Sequence, residues 1–458
     1  MKSREEALLR MRSAVCKAAR RAIVPLSCVL ACGAADVACP APAQAAQAKL
    51  SSTAERVFAA ARPRLLQIRT VLAAGGRQST IGSGFLVSRT GLAITNYHVV
   101  SQYALEPESY RLEYTAADGR RGPLELLAFD IVNDVALVRM DKPGRFFFEF
   151  DTRVLHADPP RGERLYSMGN PLDLGFSIVE GTYNGPVARS YNERILFSGA
   201  INPGMSGGPA VSTASRIVGV NVAKRLDGEL VSFLVPAHFA ADLVAHSGEA
   251  QPLSREAVRA EIARQLIAWQ AGLYKAIAEQ QFGATALGPY RAPEPPSAWF
   301  SCWAYTNANR VPKPRGDVNV SGCSTSSSLF VANDLSTGRI QLTHTYVKSV
   351  DLNPFQFASF LSQYYRPSNA PWNPKRFTHT RCYDSFVAAD TPGRPALRAA
   401  WCARAYREFP GLYDVSVLAV TQNSASEALV TRLTMLGASY ESALQLGQRL
   451  LREVRLAQ

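Results

Sequence analysis

Cysteine is missing from the whole middle of the chain: none stands between Cys39 and Cys302 in a sequence of 458 residues. That stretch can hold no disulfide, no thiolate metal site and no nucleophilic thiol. Histidine is scarce too, at six residues. His156, His238, His246, His344 and His379 have no second histidine, cysteine or carboxylate cluster at ligand spacing. They read as packed or surface residues, and neither a metal nor a cofactor is expected. Beyond residue 45 no run of 18 or more apolar residues occurs, which argues against a membrane-spanning helix in the mature chain. No internal repeat is visible. There is also no basic stripe interleaved with aromatics, so the net charge of +13 does not point to nucleic acid. It fits contact with an anionic surface such as a membrane face, or a generally basic proteome.

Against these absences stand 47% hydrophobic and 19% charged residues, the balance of a folded chain long enough for two to four domains. At the start, Lys17, Arg20 and Arg21 precede an apolar run from Ala22 to Ala31, and small residues follow as far as Ala43-Gln44-Ala45. A basic beginning, a short apolar core and an A-x-A site describe a secretory signal peptide over residues 1–45, and hence an exported, periplasmic or secreted protein. Glu5 and Glu6 are out of character in such a segment, and a start at Met11 would leave a cleaner basic region. Val29-Leu30-Ala31-Cys32 resembles a lipoprotein processing box, which makes acylation at Cys32 the alternative route. The four cysteines outside the leader are Cys302, Cys323, Cys382 and Cys402. An even set in an exported chain implies two disulfides. Of the three connectivities, nearest-neighbour pairing is expected: Cys302 with Cys323, and Cys382 with Cys402.

Residues 50–248 begin with a short helix, Ala54 to Ala61. Apolar runs of strand length follow, divided by Gly, Pro, Asn and Asp; examples are Leu65–Val71, Leu92–Thr95, Leu165–Met168 and Ile217–Val222. Many short strands at this spacing indicate an all-β barrel or sandwich, with length enough for two six-stranded barrels. Within it, Asn202-Pro203-Gly204-Met205-Ser206-Gly207-Gly208-Pro209 surrounds one serine with glycines. Such a loop can bend sharply and converge N–H groups on one oxygen. Ser206 would supply a nucleophilic hydroxyl, and the N–H groups of Gly204 and Ser206 an oxyanion hole. A serine needs a base and an orienting carboxylate. His98 follows the strand Leu92–Thr95, and Asp134 heads the apolar run Val135–Val138. The chain order His, Asp, Ser is one of the known solutions to triad geometry. Taken singly, His98 is as well read as a buried histidine and Asp134 as a turn residue; together with Ser206 they outweigh those readings.

The stretches Gly82-Ser83-Gly84-Phe85, Gly91–Val100, Asn133–Leu137, Met168–Pro171, Ala200–Pro209, Ile217–Asn221 and Phe233–Pro236 together resemble the trypsin-like (chymotrypsin-fold) serine proteases, and within them the bacterial HtrA/Deg branch. The resemblance covers roughly residues 55–245. It implies a double β-barrel and hydrolysis of peptide bonds in polypeptide substrates. His98 would act as base, Asp134 as its orienter, Ser206 as nucleophile. It also implies that the strand of Val220 and Asn221 pairs with substrate residues before the scissile bond. Six residues before the serine stands Ala200, where trypsin-type members carry an Asp that attracts Arg or Lys. With Ile201, Phe233 and Val235 it would line a modest apolar pocket, so small or medium aliphatic residues are expected at the cleavage site.

Two positions depart from the family pattern. Tyr97 precedes the histidine where a small or amide residue is usual. Met205 precedes the serine where HtrA-like members carry Asn and classical members an Asp. A methionine can make neither polar anchor, so the oxyanion loop is expected to rest on packing and to be capable of an inactive form. On that reading Met205→Asn raises turnover.

The rest of the chain reads as a second module. Ser254 can cap a helix in which Val258, Ile262, Leu266, Trp269, Leu273 and Ile277 recur every three or four residues. This connecting helix falls in 249–285. A proline-rich linker, 286–298, follows. Residues 299–458 are expected to form an α+β domain stapled by the disulfides. Its elements would be a hairpin of Ser328–Ala332 with Arg339–Val347, a helix near Pro354–Tyr364, strands near Leu397–Ala405, Val415–Thr421 and Ala428–Leu436, and a closing helix Tyr440–Val454. It has no Gly-Leu-Gly-Phe-type carboxylate-binding loop, so it does not resemble the PDZ domains that usually follow such proteases. The architecture is multidomain: a chymotrypsin-like all-β double barrel, a connecting helix and a smaller α+β domain. The function it implies is an exported serine endopeptidase. The competing readings are a protease-fold binding scaffold with a silent site, and an envelope-binding protein whose C-terminal module carries the main function.

Overall fold

The computed structural model describes residues 51–457, apart from 143, 225–229, 248, 297, 327 and 367–372. The expected targeting segment 1–45, with Cys32, lies outside the described residues. The chain enters through a helix, Ser52–Ala61, capped by the Ser51 hydroxyl, which accepts from the Ala54 N–H.

Six strands then close a first barrel: β1 Leu65–Leu72, β2 Gln78–Leu86, β3 Leu92–Thr95, β4 Tyr110–Ala116, β5 Arg121–Asp130 and β6 Val135–Met140, in the order β1-β2-β3-β6-β5-β4. A second barrel repeats the design with β7 Arg164–Gly169, β8 Ser177–Pro186, β9 Ile195–Phe197, β10 Pro209–Val211, β11 Ile217–Lys224 and β12 Ser232–Pro236, in the order β10-β11-β12-β9-β8-β7. The period-2 alternation of a strand lets each serve two cores. In β1, Leu66 and Ile68 point into the first barrel, while Leu65 joins Phe85, Tyr166, Val220 and Val235 in the layer between the barrels.

The long helix Arg255–Ala278 begins as the periodicity predicts, with the Ser254 hydroxyl accepting from the Ala257 N–H. Its first half puts Val258, Ile262 and Leu266 against the first barrel. Its second half puts Leu273, Tyr274 and Ile277 against the C-terminal sheet. Trp269 lies at the changeover, its indole N–H donating to Asn192 Oδ1 at 2.7 Å.

The stretch 286–298 is not a bare linker. It contributes β14, Tyr290–Glu294, which pairs with β13, Gly283–Leu287, and with β24, Arg455–Leu456, at the chain's end. Tyr290 and Ala292 are fully buried, so packing overrides the prolines' bias towards loop; Pro293 is spared because its carbonyl is used instead, by His344 Nε2 at 2.8 Å.

The C-terminal module is built on a seven-stranded antiparallel sheet in the order β15-β16-β19-β23-β22-β21-β20. Its strands are β15 Phe300–Thr306, β16 Gly316–Thr325, β19 Ile340–Ser349, β20 Arg381–Val387, β21 Leu397–Ala405, β22 Tyr413–Thr421 and β23 Glu427–Ala438. The helix Tyr440–Glu453 packs on it through Ala443, Leu446 and Leu450. The anticipated hairpin pairs differently from the expectation. Leu329–Ala332 (β17) pairs with Leu335–Thr337 (β18), and β19 leaves it to pair with β16 and β23. Gly338, at φ +78°, turns the chain between them. Cys302 stands opposite Cys323 and Cys382 opposite Cys402 across adjacent strands, with sulfurs 2.14 and 2.06 Å apart. Each disulfide thus joins an edge strand of the sheet to its neighbour. Among the described residues no helix is long and apolar enough to cross a membrane.

Candidate active site

Residues 202–208 form the loop leading into β10. Gly204 and Gly207 have φ values of +92° and +83°, a region that side chains disfavour. Space forbids a side chain as well: a Cβ on Gly204 would lie 2.5 Å from the Asn170 carbonyl oxygen, and one on Gly207 2.3 Å from that of Ser83.

These constraints aim two N–H groups. The Pro203 carbonyl accepts from the Leu172 N–H at 2.9 Å. In a planar trans peptide the N–H points opposite to its carbonyl, so that of Gly204 is turned the other way. The Met205 carbonyl accepts from the Gly208 N–H at 3.0 Å and from Asn221 Nδ2 at 3.2 Å, which likewise turns out the N–H of Ser206. The neighbouring N–H groups are engaged, Met205 to the Asn202 carbonyl and Gly207 to that of Asn221. Among the described residues those of Gly204 and Ser206 have no backbone partner. Two adjacent unpaired donors are what a developing oxyanion requires.

His98, the candidate base, is positioned by the start of a helix. β3 ends at Thr95, Asn96 is the N-cap, and His98 is the second residue of the helix Tyr97–Leu105. The Asn96 side chain does not cap the helix; its Nδ2 donates to the Asp134 carbonyl at 2.7 Å. That bond helps hold Asp134 at φ +60° in the turn before β6. Its carboxylate then does two things. Oδ1 accepts the backbone N–H of His98 at 2.9 Å, and Oδ2 takes the bond from Nδ1 of the ring at 2.6 Å. A proton held on Nδ1 leaves Nε2 as the acceptor. Burial of the ring pulls the His98 pKa down, but the charge and hydrogen bond of Asp134 outweigh it, and the pKa is raised above the ordinary histidine value.

The Ser206 hydroxyl donates to the Val222 carbonyl at 3.2 Å, and among the described residues no hydrogen bond joins it to His98. Val222 is where β11 bulges: the register with β12 shifts between Asn221 and Ala223, leaving Val222 without a partner in that ladder.

The residues read as substrate-binding divide. Ala200 and Phe233 are half-buried and reach the surface. Ile201 packs inside the second barrel, and Val220 and Val235 pack between the barrels, so these three are core. Asn221 is fully buried. Its Nδ2 holds the Met168 and Met205 carbonyls, its Oδ1 accepts from Ser167, and its backbone is bonded to Gly207 and Gly208. It is a strut beneath the Ser206 loop, and the strand position that meets the Ser206 hydroxyl is Val222. Ser83 has a role that sequence alone did not reveal. Its hydroxyl donates to the Gly204 carbonyl at 2.7 Å and accepts the Asn170 N–H at 2.9 Å, while its own N–H holds the Ser206 carbonyl at 2.7 Å. Only its place in the Gly-Ser-Gly stretch hinted at this, because the glycines beside it allow the close approach: a Cβ on Gly82 would sit 3.0 Å from the Ser206 carbonyl.

Met205 is 1% exposed, packed with Leu165, Tyr183, Ile201 and Val218, and its sulfur accepts the Asn202 N–H at 3.5 Å. The loop does rest on packing. That reverses the sign of the Met205→Asn expectation, since an amide would displace apolar contacts from a closed core.

Tyr97, the other departure, is fully buried. Its ring packs on Phe129 with centroids 5.1 Å apart, and its hydroxyl donates to the Val331 carbonyl at 3.1 Å. The C-terminal module therefore meets the site directly. Phe330 lies edge-on to the His98 ring, centroids 6.1 Å apart.

The trypsin-like peptidase domain family matches residues 82–220. Similar proteins include Protease Do-like 1 of the Arabidopsis thaliana chloroplast, 31% identical over 150 residues, covering 31% of this chain and 33% of that protein. Serine protease PepD of Mycobacterium tuberculosis is 31% identical over 188 residues, covering 37% and 38%. A DegP-like protein of Brucella suis, named as a periplasmic serine endoprotease, is 31% identical over 150 residues, covering 31% and 27%. The matches thus span roughly a third of the length of each relative. The two closed barrels, the matched residues and these relatives agree: residues 82–220 carry a trypsin-like peptidase domain, similar to those of the HtrA/Deg serine proteases.

Proposed function

We propose that this protein is an exported serine endopeptidase acting through His98, Asp134 and Ser206. The observation that carries the reading is the pair of unpartnered N–H groups at Gly204 and Ser206, whose peptides are held by their carbonyls beside a histidine already oriented by a carboxylate. Ser206 attacks the scissile carbonyl while His98 Nε2 takes its proton. The negative oxygen that forms is received by the two N–H groups. The imidazolium, stabilised by Asp134, then protonates the leaving amine, and water repeats the sequence to release the acyl group. The half-buried Ala200 and Phe233 support small or medium aliphatic residues at the cleavage site. The leader sequence and the periplasmic designation of the Brucella suis relative support export.

One observation favours a silent protease-fold scaffold: the Ser206 hydroxyl faces the Val222 carbonyl. Against it, catalytic hydrogen bonds are often incomplete before substrate binds. A fluorophosphonate probe separates the two readings. Wild type should label at Ser206 and cleave a peptide library, while Ser206→Ala should do neither; a wild type inert to both would sink the endopeptidase reading.

A further inference from the structure

Beside the candidate triad lies a cleft of about 590 Å³, within the range of about 300–1,000 Å³ typical of ligand sites. One side comes from the barrels and includes Asp134, Val222 and Phe233, with Arg189 and Arg194 at its polar end. The other comes from the C-terminal module: Leu329 and Phe330. The cleft is continuous with the site, because Val222 accepts the Ser206 hydroxyl, Asp134 holds His98 and Phe330 lies against the His98 ring.

The hairpin that brings Leu329 and Phe330 there is firmly seated. Leu329, Val331, Ala332 and Leu335 belong to the same buried cluster as the first barrel. Tyr97 ties the Val331 carbonyl. At the hairpin's turn, Asp334 pairs with Arg376 at 2.9 Å, Arg376 pairs with Glu408, and Glu408 pairs with Arg259 of the long helix at 2.7 Å. Phe330 is the hairpin residue left half-buried, facing the cleft. A rigid aromatic surface held at an active site from another module acts as a wall, because it contributes contact area without the entropy cost of ordering a loop.

We propose that the C-terminal module supplies one wall of the substrate cleft, and that Phe330, seated on the buried Leu329 and facing Phe233 and Val222, selects polypeptides with a large apolar side chain shortly before the scissile bond. The proposal rests on the endopeptidase reading above. An extended peptide that reaches Ser206 along the bulged edge at Val222 would direct a side chain between Phe233 and Phe330. The module would then set specificity from within the active site.

The test uses the full chain and a peptide series with Ala, Leu or Phe at the second residue before the cleaved bond. The readout is the ratio of kcat/KM for the Leu or Phe peptide to that for the Ala peptide, which is independent of the fraction of enzyme folded. Wild type should favour the large side chains at least tenfold, the scale on which one apolar contact discriminates. In Phe330→Ala the ratio should fall about tenfold, and in Phe330→Leu by less. A ratio unchanged in Phe330→Ala overturns the wall. So does equal acceleration of every peptide, which would make the hairpin a plug. A wild type that the fluorophosphonate probe labels but that ignores side-chain size also overturns it, leaving the endopeptidase reading intact. A wild type that the probe does not label overturns the endopeptidase reading, and the wall with it.

Discussion

Replacing Met205 asks what holds the oxyanion loop in place. The side chain is 1% exposed and packed with Leu165, Ile201, Tyr183 and Val218. Truncating a buried methionine to alanine costs about 2–5 kcal/mol in transfer and cavity terms. Met205→Asn loses most of the same apolar contact and adds an amide inside that cluster, at about 1–3 kcal/mol for a polar group left unsatisfied. A loss of at least about 3 kcal/mol is therefore expected for the asparagine variant. Met205→Leu, which conserves volume, should cost under about 1.5 kcal/mol. The functional consequence follows from position. The Met205 carbonyl, fixed by Asn221 and Gly208, is what turns out the Ser206 N–H, and losing one oxyanion donor slows turnover by about 10²–10³-fold. Urea unfolding gives the stability, and the rate of acylation by a fluorophosphonate gives the state of the site. The asparagine variant should be less stable and at least tenfold slower, with leucine near wild type. If Met205→Asn is as stable as wild type and acylates faster, then the loop lacks a polar anchor and packing is not what supports it.

Three further outcomes are expected. Asp134→Asn should lower kcat by about 10⁴-fold. Because Asp134 raises the His98 pKa and the base must be neutral, the acid limb of kcat/KM should lie above pH 6.5 in wild type and move to lower pH in the variant. His344 is buried between the Pro293 carbonyl and Thr431, and burial lowers its pKa to about 4. The unfolded chain takes up its proton first, so stability is full above pH 6.5 and about 3 kcal/mol is lost as the pH falls to about 4. Urea midpoints across that window should show the decline, and His344→Gln should flatten it. Reducing the disulfides, which close sequence separations of 21 and 20 residues, should cost about 3 kcal/mol each on the chain-entropy estimate, read as a drop in urea midpoint with reductant.

What the sequence disclosed follows from how local each signal is. The long helix from Arg255 could be read residue by residue, because a cap and an apolar stripe are written into neighbouring positions. So could the loop around Ser206, where each glycine answers a local backbone demand. β4 and β5 are more weakly marked, because they expose one face and alternate Arg, Glu and Thr with their apolar residues, and β5 carries Pro123. The helix at Tyr97–Leu105 was hidden by Val99 and Val100, whose branched side chains suggest strand, whereas the Asp134 carboxylate at its first turn stabilises helix. Pairing is the least local property. β19 lies close in sequence to β17 yet pairs with β16 and β23, and nothing in the intervening residues states that choice. Ile201 and Val235, expected to line the specificity pocket, have buried side chains, and this was not legible for the same reason: a strand's alternation shows which residues share a face, but not which face borders a cleft.

The shared cluster beneath Tyr97 bears on how this chain can be cut and recombined. Leu112, Leu126, Phe129 and Val138 of the first barrel share one buried cluster with Ile262 of the long helix and with Leu335, Phe409 and Leu412 of the module beyond. Residues 82–220 are thus a unit of resemblance and not a unit of folding. A fragment ending near residue 248 would uncover an apolar face large enough to drive self-association. A duplication, fusion or truncation that leaves the later module behind would expose that shared cluster to water. The boundary visible in sequence comparison, residues 82–220, lies well inside the buried cluster that runs on to Leu412.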